Sequence, residues 1–492
     1  MIEQLPALQI VLPLVAAPLA LLLRRQQLVW GLTVLASAAS FVVAVMLLRE
    51  AWLQGAISYD MGDWAPPWGI EYRVDVLNAT VLALVAGLST VVLAFARVSV
   101  ASEVPGERLP LFYTAYLLCL TGLLGMAVTG DAFNVFVFLE ISSLSTYALI
   151  SQGSDRRALT ASYQYLIMGT VGATFFLIGV GFLYVMTGTL NMADLAQRLP
   201  AVYDTRTVKV AFAFIAVGLS LKLALFPLHL WLPNAYAYAP SAVSAFLAST
   251  ATKVAIYLLL RFFFTIFGVH FSFDVMPLGE VLAVLSVIAM FSASVVAVFQ
   301  QNIKRLLAYS SVAQVGYITL GISMGTVTGV AAGIVHLFNH ALIKGALFLA
   351  LGSLVYRVGT TRLDDIQGIG RNMPWTMGAF VVGGLSLIGV PLTTGFISKW
   401  NLVQAALEIG WWPIAVAILA TSLLAVVYVW RVVERAFFQV PTGAASGATE
   451  APLSLLLPTW LLALANIYFG ADATLSWGLA FRAAQGLLGV TQ

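Results

Sequence analysis

Residues 221–236 read LKLALFPLHLWLPNAY, with Lys222 inside an apolar run and His229 between Pro227 and Pro233, which lie six residues apart. A proline lacks an amide donor and clashes with the preceding turn, so a helix through this stretch is expected to break at its middle. The break would free backbone carbonyls. Whether that is unusual depends on what surrounds the helix, and the composition answers this. Of 492 residues, 61% are hydrophobic and 9% charged, and the mean hydropathy is +0.96, whereas soluble domains carry about 25% charged residues. A soluble fold is excluded. Apolar runs of roughly 18 to 25 residues, each able to cross about 30 Å of hydrocarbon, recur from Leu5 onward, so the fold class is an all-α polytopic membrane protein. A β-barrel would show ten-residue alternation instead.

Apolar length and punctuation give about fourteen transmembrane helices: near 5–23, 28–48, 74–96, 111–129, 131–151, 162–186, 208–238, 241–266, 278–299, 306–323, 327–356, 376–408, 411–435 and 452–470. The first lacks a basic leader and a small-residue cleavage site, and Arg24-Arg25 follow it, so it is expected to be a retained span. With the N-terminus on one face, thirteen cations fall on the opposite face and seven on its own, beside an acidic loop that includes Asp60, Asp63, Glu71 and Asp75. The positive-inside rule therefore predicts an outside N-terminus for a multi-pass protein of the cytoplasmic (inner cell) membrane. The net charge of +3 is scattered and leaves no footprint for nucleic acid. Cys119 is the single cysteine, which excludes an internal disulfide and a cysteine-ligated cluster, and it reads as core packing.

Four basic residues remain, all within spans and all lysines: Lys222, Lys253, Lys344 and Lys399. A desolvated lysine can give up its proton and arginine cannot, so the choice favours proton exchange over fixed charge. Snorkelling or structural neutralisation is the alternative. Glu140, in GDAFNVFVFLEISSLSTY (130–147), is the one acid well inside a span and needs a cationic partner, for which Lys222 is the best candidate. Asp131 reads as a helix N-cap. His229 suits either a proton relay or a structural bond to a freed carbonyl.

A second interrupted helix is expected in SLIGVPLTTGFISKW (386–400), where Gly389, Pro391 and Gly395 precede Lys399. The two lysine-bearing breaks lie five spans apart, an odd number that reverses topology and predicts two inverted five-helix repeats. The expected division is 1–105 for three accessory helices, 106–270 and 271–440 for the repeats, and 441–492 for a C-terminal helix and tail. In HLFNHALIKGALFL (336–349), His336, His340 and Lys344 follow at four-residue steps and share one helical stripe. A zinc pair there is opposed by the lysine and by the lack of a glutamate after His336. Nothing beyond the histidines suggests haem, and no nucleotide loop is present, so no cofactor is expected. Glu140, Lys222, His229, Lys253, His336, His340, Lys344 and Lys399 could form one lateral string across the bundle.

At these residues the chain resembles the antiporter-like proton-translocating subunits shared by respiratory complex I, membrane-bound hydrogenases and Mrp-type multisubunit cation/proton antiporters. The resemblance covers about 430 residues. It rests on the stretch ending at Glu140, LKxxxFPxHxWLPxAY from Lys222, PSAVSAFLASTATK ending at Lys253, QxxxKRxLAYSSxxQxGY around Lys304 and Tyr317, HLFNHALxKGxLF, and GFxSKW. It implies fourteen helices in inverted repeats and matches Glu140, Lys222, Lys253 and Lys399 to proton-path positions. GDWAPPWGIEYRVDVLNA (62–79) is most similar to the D-type branch of the Mrp antiporters, with hydrogenase or complex I subunits as the alternative. The partners implied are other membrane subunits, lipid, protons, and Na+ or K+. No redox centre in this chain is implied.

Overall fold

The computed structural model describes residues 2–23, 25–441 and 443–490. Arg24, counted above among the cations, lies outside them, as do Met1 and the last two residues. Helices α1 (Leu5–Leu22) and α2 (Gln26–Gln54) lead to a hairpin of β1 (Ile57–Asp60) and β2 (Glu71–Val74). Next come α3 (Val76–Glu103), α4 (Leu109–Val128), α5 (Ala132–Ser151), α6 (Arg157–Thr187) and the short α7 (Met192–Arg198). The chain continues through α8 (Arg206–Leu223), α9 (Trp231–Tyr238), α10 (Ser241–Ser249) and α11 (Ala251–Leu260), then α12 (Leu278–Val298), α13 (Ile303–Ser323) and α14 (Val327–Val358). A single turn, α15 (Ile369–Asn372), precedes α16 (Pro374–Ile388), α17 (Thr394–Glu408), α18 (Trp412–Phe437), α19 (Leu453–Ala471) and α20 (Thr474–Leu488).

Twelve helical segments among the described residues are long and apolar enough to cross a membrane, one of them the run from Ser241 to Ile266. The other two expected spans are each made of two pieces, α8 with α9 and α16 with α17. The architecture is therefore all-α, with interruptions where Pro227 and Pro391 were expected to put them. Pro233 differs. It is the third residue of α9, in a first turn whose amides have no intrahelical partner, so it starts a helix and does not break one.

Side-chain caps fix several helix starts: Asp75 accepts from the Asn78 amide at 3.1 Å, Asp131 from Asn134 at 2.7 Å and Asn302 from Arg305 at 3.0 Å. Asp131 is thus a cap, as its position suggested. Helix pairs approach closely through glycine: a β-carbon on Gly218 would lie 2.7 Å from the Gly172 carbonyl oxygen between α8 and α6. A β-carbon on Gly321 would meet the Gly329 carbonyl oxygen, between α13 and α14, at the same distance.

The packing of α4 on α5, α5 on α6, and α6 on both pieces of the first broken helix recurs as α12 on α13, α13 on α14, and α14 on both pieces of the second. Isolated backbone bridges join Asp131 to Asn191 and Asn302 to Arg362. Both members of the second bridge lie 171 residues beyond those of the first. Helices α1 to α3 pack against α4, while α19 and α20 lie against α14 and α3. The core runs along α13 and α14, which are buried over most of their length. The hairpin and α20 were not expected from the sequence.

Candidate functional site

The second interruption builds the densest polar cluster. Helix α16 ends at Ile388, Gly389 takes φ of +92°, and Pro391 lies in the connection to α17. Ending a helix strands its last carbonyls. Lys399, in the second turn of α17, returns to them, donating to Leu387 O at 3.0 Å and Ile388 O at 2.9 Å. Its ammonium also lies 4.7 Å from the centre of the Tyr317 ring. The Tyr317 hydroxyl is anchored to Thr421 at 2.6 Å, and its ring centre is 5.6 Å from that of His336.

From His336 the cluster runs along α14. His336 Nδ1 lies 2.7 Å from Ser398 Oγ, and Nε2 lies 2.9 Å from Gln314 Oε1, an acceptor, so Nε2 donates. The His340 ring stacks parallel to it at 6.3 Å. His340 is fully buried and neither ring nitrogen has a hydrogen-bond partner among the described residues. One turn on, Lys344 donates to Leu307 O at 2.7 Å and to Ser310 Oγ. Across from this stripe, Lys253 on α11 is fully buried and donates to Ala248 O. Lys253, Lys344 and His336 are all within electrostatic reach of His340. Burying several like-charged groups together is expensive in low dielectric.

Lys253 depends on an interruption with no proline. Helix α10 stops at Ser249, and Thr250 takes φ of −124° and ψ of −56° before α11 begins. The freed Ala248 carbonyl is the one that Lys253 takes.

At the first interruption, α8 ends at Leu223, Ala224 adopts a left-handed conformation, and Pro227 lies in the connection to α9. Trp231 spans the gap by donating from Nε1 to Leu221 O at 2.9 Å, and its ring stacks on Tyr165 at 4.1 Å. Lys222 lies 5.6 Å from the Tyr165 ring centre and donates to Ser143 Oγ. Ser143 is one turn beyond Glu140 on α5. The expected ion pair between Glu140 and Lys222 is not made: among the described residues no cation lies within 4.0 Å of Glu140, although the two remain within electrostatic reach. The serine is nearer and takes the ammonium. Glu140 instead is half-buried on a stripe whose other members, Phe133, Val137 and Leu144, are exposed.

His229 is buried in the first interruption, its ring stacked on Phe226 at 5.3 Å and edge-on to Tyr309 at 6.4 Å, with Nδ1 unpartnered. The structure thus brings Lys399, His336, His340, Lys344 and Lys253 into one cluster and Glu140 and Lys222 into a second. His229 stands beside Tyr309, whose neighbour Ser310 holds Lys344. Sequence reasoning did not select Ser143, Ser398 or Gln314 as polar partners, and it placed Lys304 in a loop. Lys304 is buried and donates to Ala239 O at 3.2 Å.

The profile described as NADH:quinone oxidoreductase/Mrp antiporter, TM matches residues 129–425. The N subunit of the NADH-quinone oxidoreductase of Desulforudis audaxviator is 42% identical over 490 residues, covering 96% of either chain. The D subunit of the Na(+)/H(+) antiporter of Alkalihalophilus pseudofirmus is 30% identical, covering 99% of this chain and 98% of the relative. Among solved structures, a chain of the Mrp complex from Dietzia sp. DQ12-45-1b is similar at a TM-score of 0.91 and 26% identity, covering 100% of this chain and 98% of that one.

Proposed function

The chain belongs to the NADH:quinone oxidoreductase/Mrp antiporter transmembrane family, and we propose that it is the proton-translocating subunit of a multisubunit Na+(K+)/H+ antiporter. The observation that carries this reading is the buried array of Lys253, His340, His336 and Lys399, set against freed carbonyls at helix interruptions and without a carboxylate among them. A carboxylate paired with each lysine would hold the ammonium charged. Carbonyls and hydroxyls accept hydrogen bonds from the ammonium without neutralising it, and lysine and imidazole can pass a proton to a neighbour, with water bridging any gap above about 3.5 Å.

On this reading Glu140 and Lys222 form the proton terminal of the first repeat and Lys399 that of the second. His229 and Lys344 connect them across the middle. The division 1–105, 106–270, 271–440 and 441–492 follows, with the recurrent bridges supporting the two repeats. The positive-inside bias supports a cytoplasmic membrane location with the N-terminus outside. The half-buried Glu140 supports membrane-subunit partners, because an unpaired carboxylate facing lipid is costly and a neighbouring chain could cover it.

A second reading is favoured by the 42% identical relative: a proton-pumping subunit of a hydrogenase-like or NADH-quinone oxidoreductase complex, driven by redox chemistry in another chain. Proton flux into vesicles separates them. In membranes carrying the assembled complex, a Na+ or K+ gradient alone should drive proton movement, and Lys399→Met should abolish it while the complex persists. Flux only with an electron donor would favour the second reading. Unchanged flux in Lys399→Met would reject the array as the path.

A further inference from the structure

A cavity of about 1030 Å3 opens on the side of the bundle that carries the β1–β2 hairpin. Its wall includes Trp52 of α2, Ala193 of α7 and Arg482 of α20, and Tyr257 and Arg261 lie at its inner end. Lys253, Tyr257 and Arg261 follow at four-residue steps and so share one stripe that runs from the buried array to the cavity. Arg261 opens a π-helical turn, Arg261–Ile266, a departure that often marks functional positions. Beyond Tyr257 lies a second cavity of about 20 Å3, lined also by Leu77 and by Ile334 and Leu337, which flank His336 on α14. That volume matches one water, for which Tyr257, Thr80 and Ser476 are the polar residues in a mostly apolar lining.

An ion pair lies in the lining of the large cavity, beside Tyr257, which with Leu77 lines both spaces. Arg261 donates from Nη2 to Asp75 Oδ2 at 2.7 Å, and from Nε to the Tyr257 hydroxyl at 3.3 Å. It joins the start of α3 to the end of α11 and holds the tyrosine in place. We propose that the large cavity is an aqueous vestibule through which Lys253 exchanges protons with the hairpin face, and that the Asp75–Arg261 pair is the latch that closes it. The inference rests on the proton-path reading of Lys253 given above. The vestibule is basic, with Arg73 and Arg482 beside Arg261, which disfavours a metal cation there. A proton needs only a relay of water and the Tyr257 hydroxyl. Opening the latch frees that hydroxyl and joins the two spaces.

Asp75 Oδ1 also caps α3, accepting from the Asn78 amide. Asp75→Asn therefore keeps the cap and removes the charge. The test uses the assembled complex in vesicles, with Cys119→Ala and single cysteines probed from either side by an anionic, membrane-impermeant methanethiosulfonate. Trp64→Cys marks the hairpin face, Ala193→Cys reports the vestibule wall, and Leu84→Cys, which lines only the small cavity, reports the space behind the latch. Ala193→Cys should label from the same side as Trp64→Cys. Leu84→Cys should label slowly, and about tenfold faster when Asp75→Asn or Arg261→Gln is added. Equal labelling of Leu84→Cys in all three backgrounds, or labelling of Ala193→Cys from the opposite side, overturns the proposal. Unchanged labelling together with lost flux in Lys253→Met rejects the latch and leaves the proton-path reading standing. Accelerated labelling together with normal flux in Lys253→Met sinks that reading, and with it the exchange assigned to Lys253.

Discussion

The ammonium of Lys399 sits 2.9 Å from the carbonyl oxygen of Ile388, although the two residues belong to different pieces of one interrupted helix. The lysine caps the piece that precedes it while its own backbone belongs to the piece that follows. Capping and proton carriage are therefore separable by chemistry. Lys399→Arg keeps a permanent cation at the carbonyls but cannot release its proton. We expect an assembled complex whose cation-driven proton flux falls by at least about tenfold, whereas a purely structural cap would be served by arginine. Fluorescence quenching in vesicles reads the flux, and normal transport by the arginine variant would leave Lys399 with a structural role alone.

Among the described residues Glu140 makes no ion pair, yet its carboxylate is within electrostatic reach of Lys222. Glu140→Gln removes the charge at nearly constant shape and should abolish transport without loss of assembly. Glu140→Asp should retain part of it. Wild-type flux in the glutamine variant would show that the charge has no part in moving protons.

The bond from Trp231 to Leu221 O crosses the first interruption. Trp231→Phe removes the donor, keeps most of the stacking on Tyr165, and leaves a buried carbonyl unmet at a cost of about 1 to 3 kcal/mol. The variant should assemble but lose thermal stability, measured as the temperature at which the solubilised complex dissociates. An unchanged midpoint would mean that water replaces the indole at no cost.

Two substitutions at the second interruption should diverge. A β-carbon on Gly395 would lie 1.8 Å from the Ser386 carbonyl oxygen, where α17 crosses α16, so Gly395→Ala should displace the two pieces and cost at least about 3 kcal/mol. Little assembled complex is expected on a native gel. Pro391→Ala adds no atoms and should assemble, with slower proton flux because a more continuous helix offers fewer free carbonyls to hold water. Wild-type transport in that variant would remove the hydrated interruption from the mechanism.

The interruptions at Pro227 and Pro391 were legible because proline alters the backbone itself, whatever packs around it. Pro233 was misread because the same residue is harmless in a first turn, and the start of α9 is fixed by tertiary contacts. Thr250 gave no signal. Its hydroxyl donates to Phe246 O at 2.7 Å, a local bond that most helices tolerate, and only packing makes it a break. The stripe of His336, His340 and Lys344 was readable from spacing, but Ser143 as the partner of Lys222 was not, since pairing by charge type ignores which group is nearer. The hairpin hid within an acidic loop. Helix α20 hid because its 15 residues are too short to read as a span.

The paired bridges at Asp131–Asn191 and Asn302–Arg362 keep one spacing in both halves, but the arginines do not. The positions 171 residues beyond Arg156 and Arg157 hold Val327 and Thr328, and those 171 before Lys304 and Arg305 hold Phe133 and Asn134. Instructions for folding are thus written in caps and bridges, whereas the positive-inside rule reads orientation from separate basic residues. The two can be edited independently: moving cations between loops should turn the chain over during biosynthesis without undoing the bridge that closes each pair of helices.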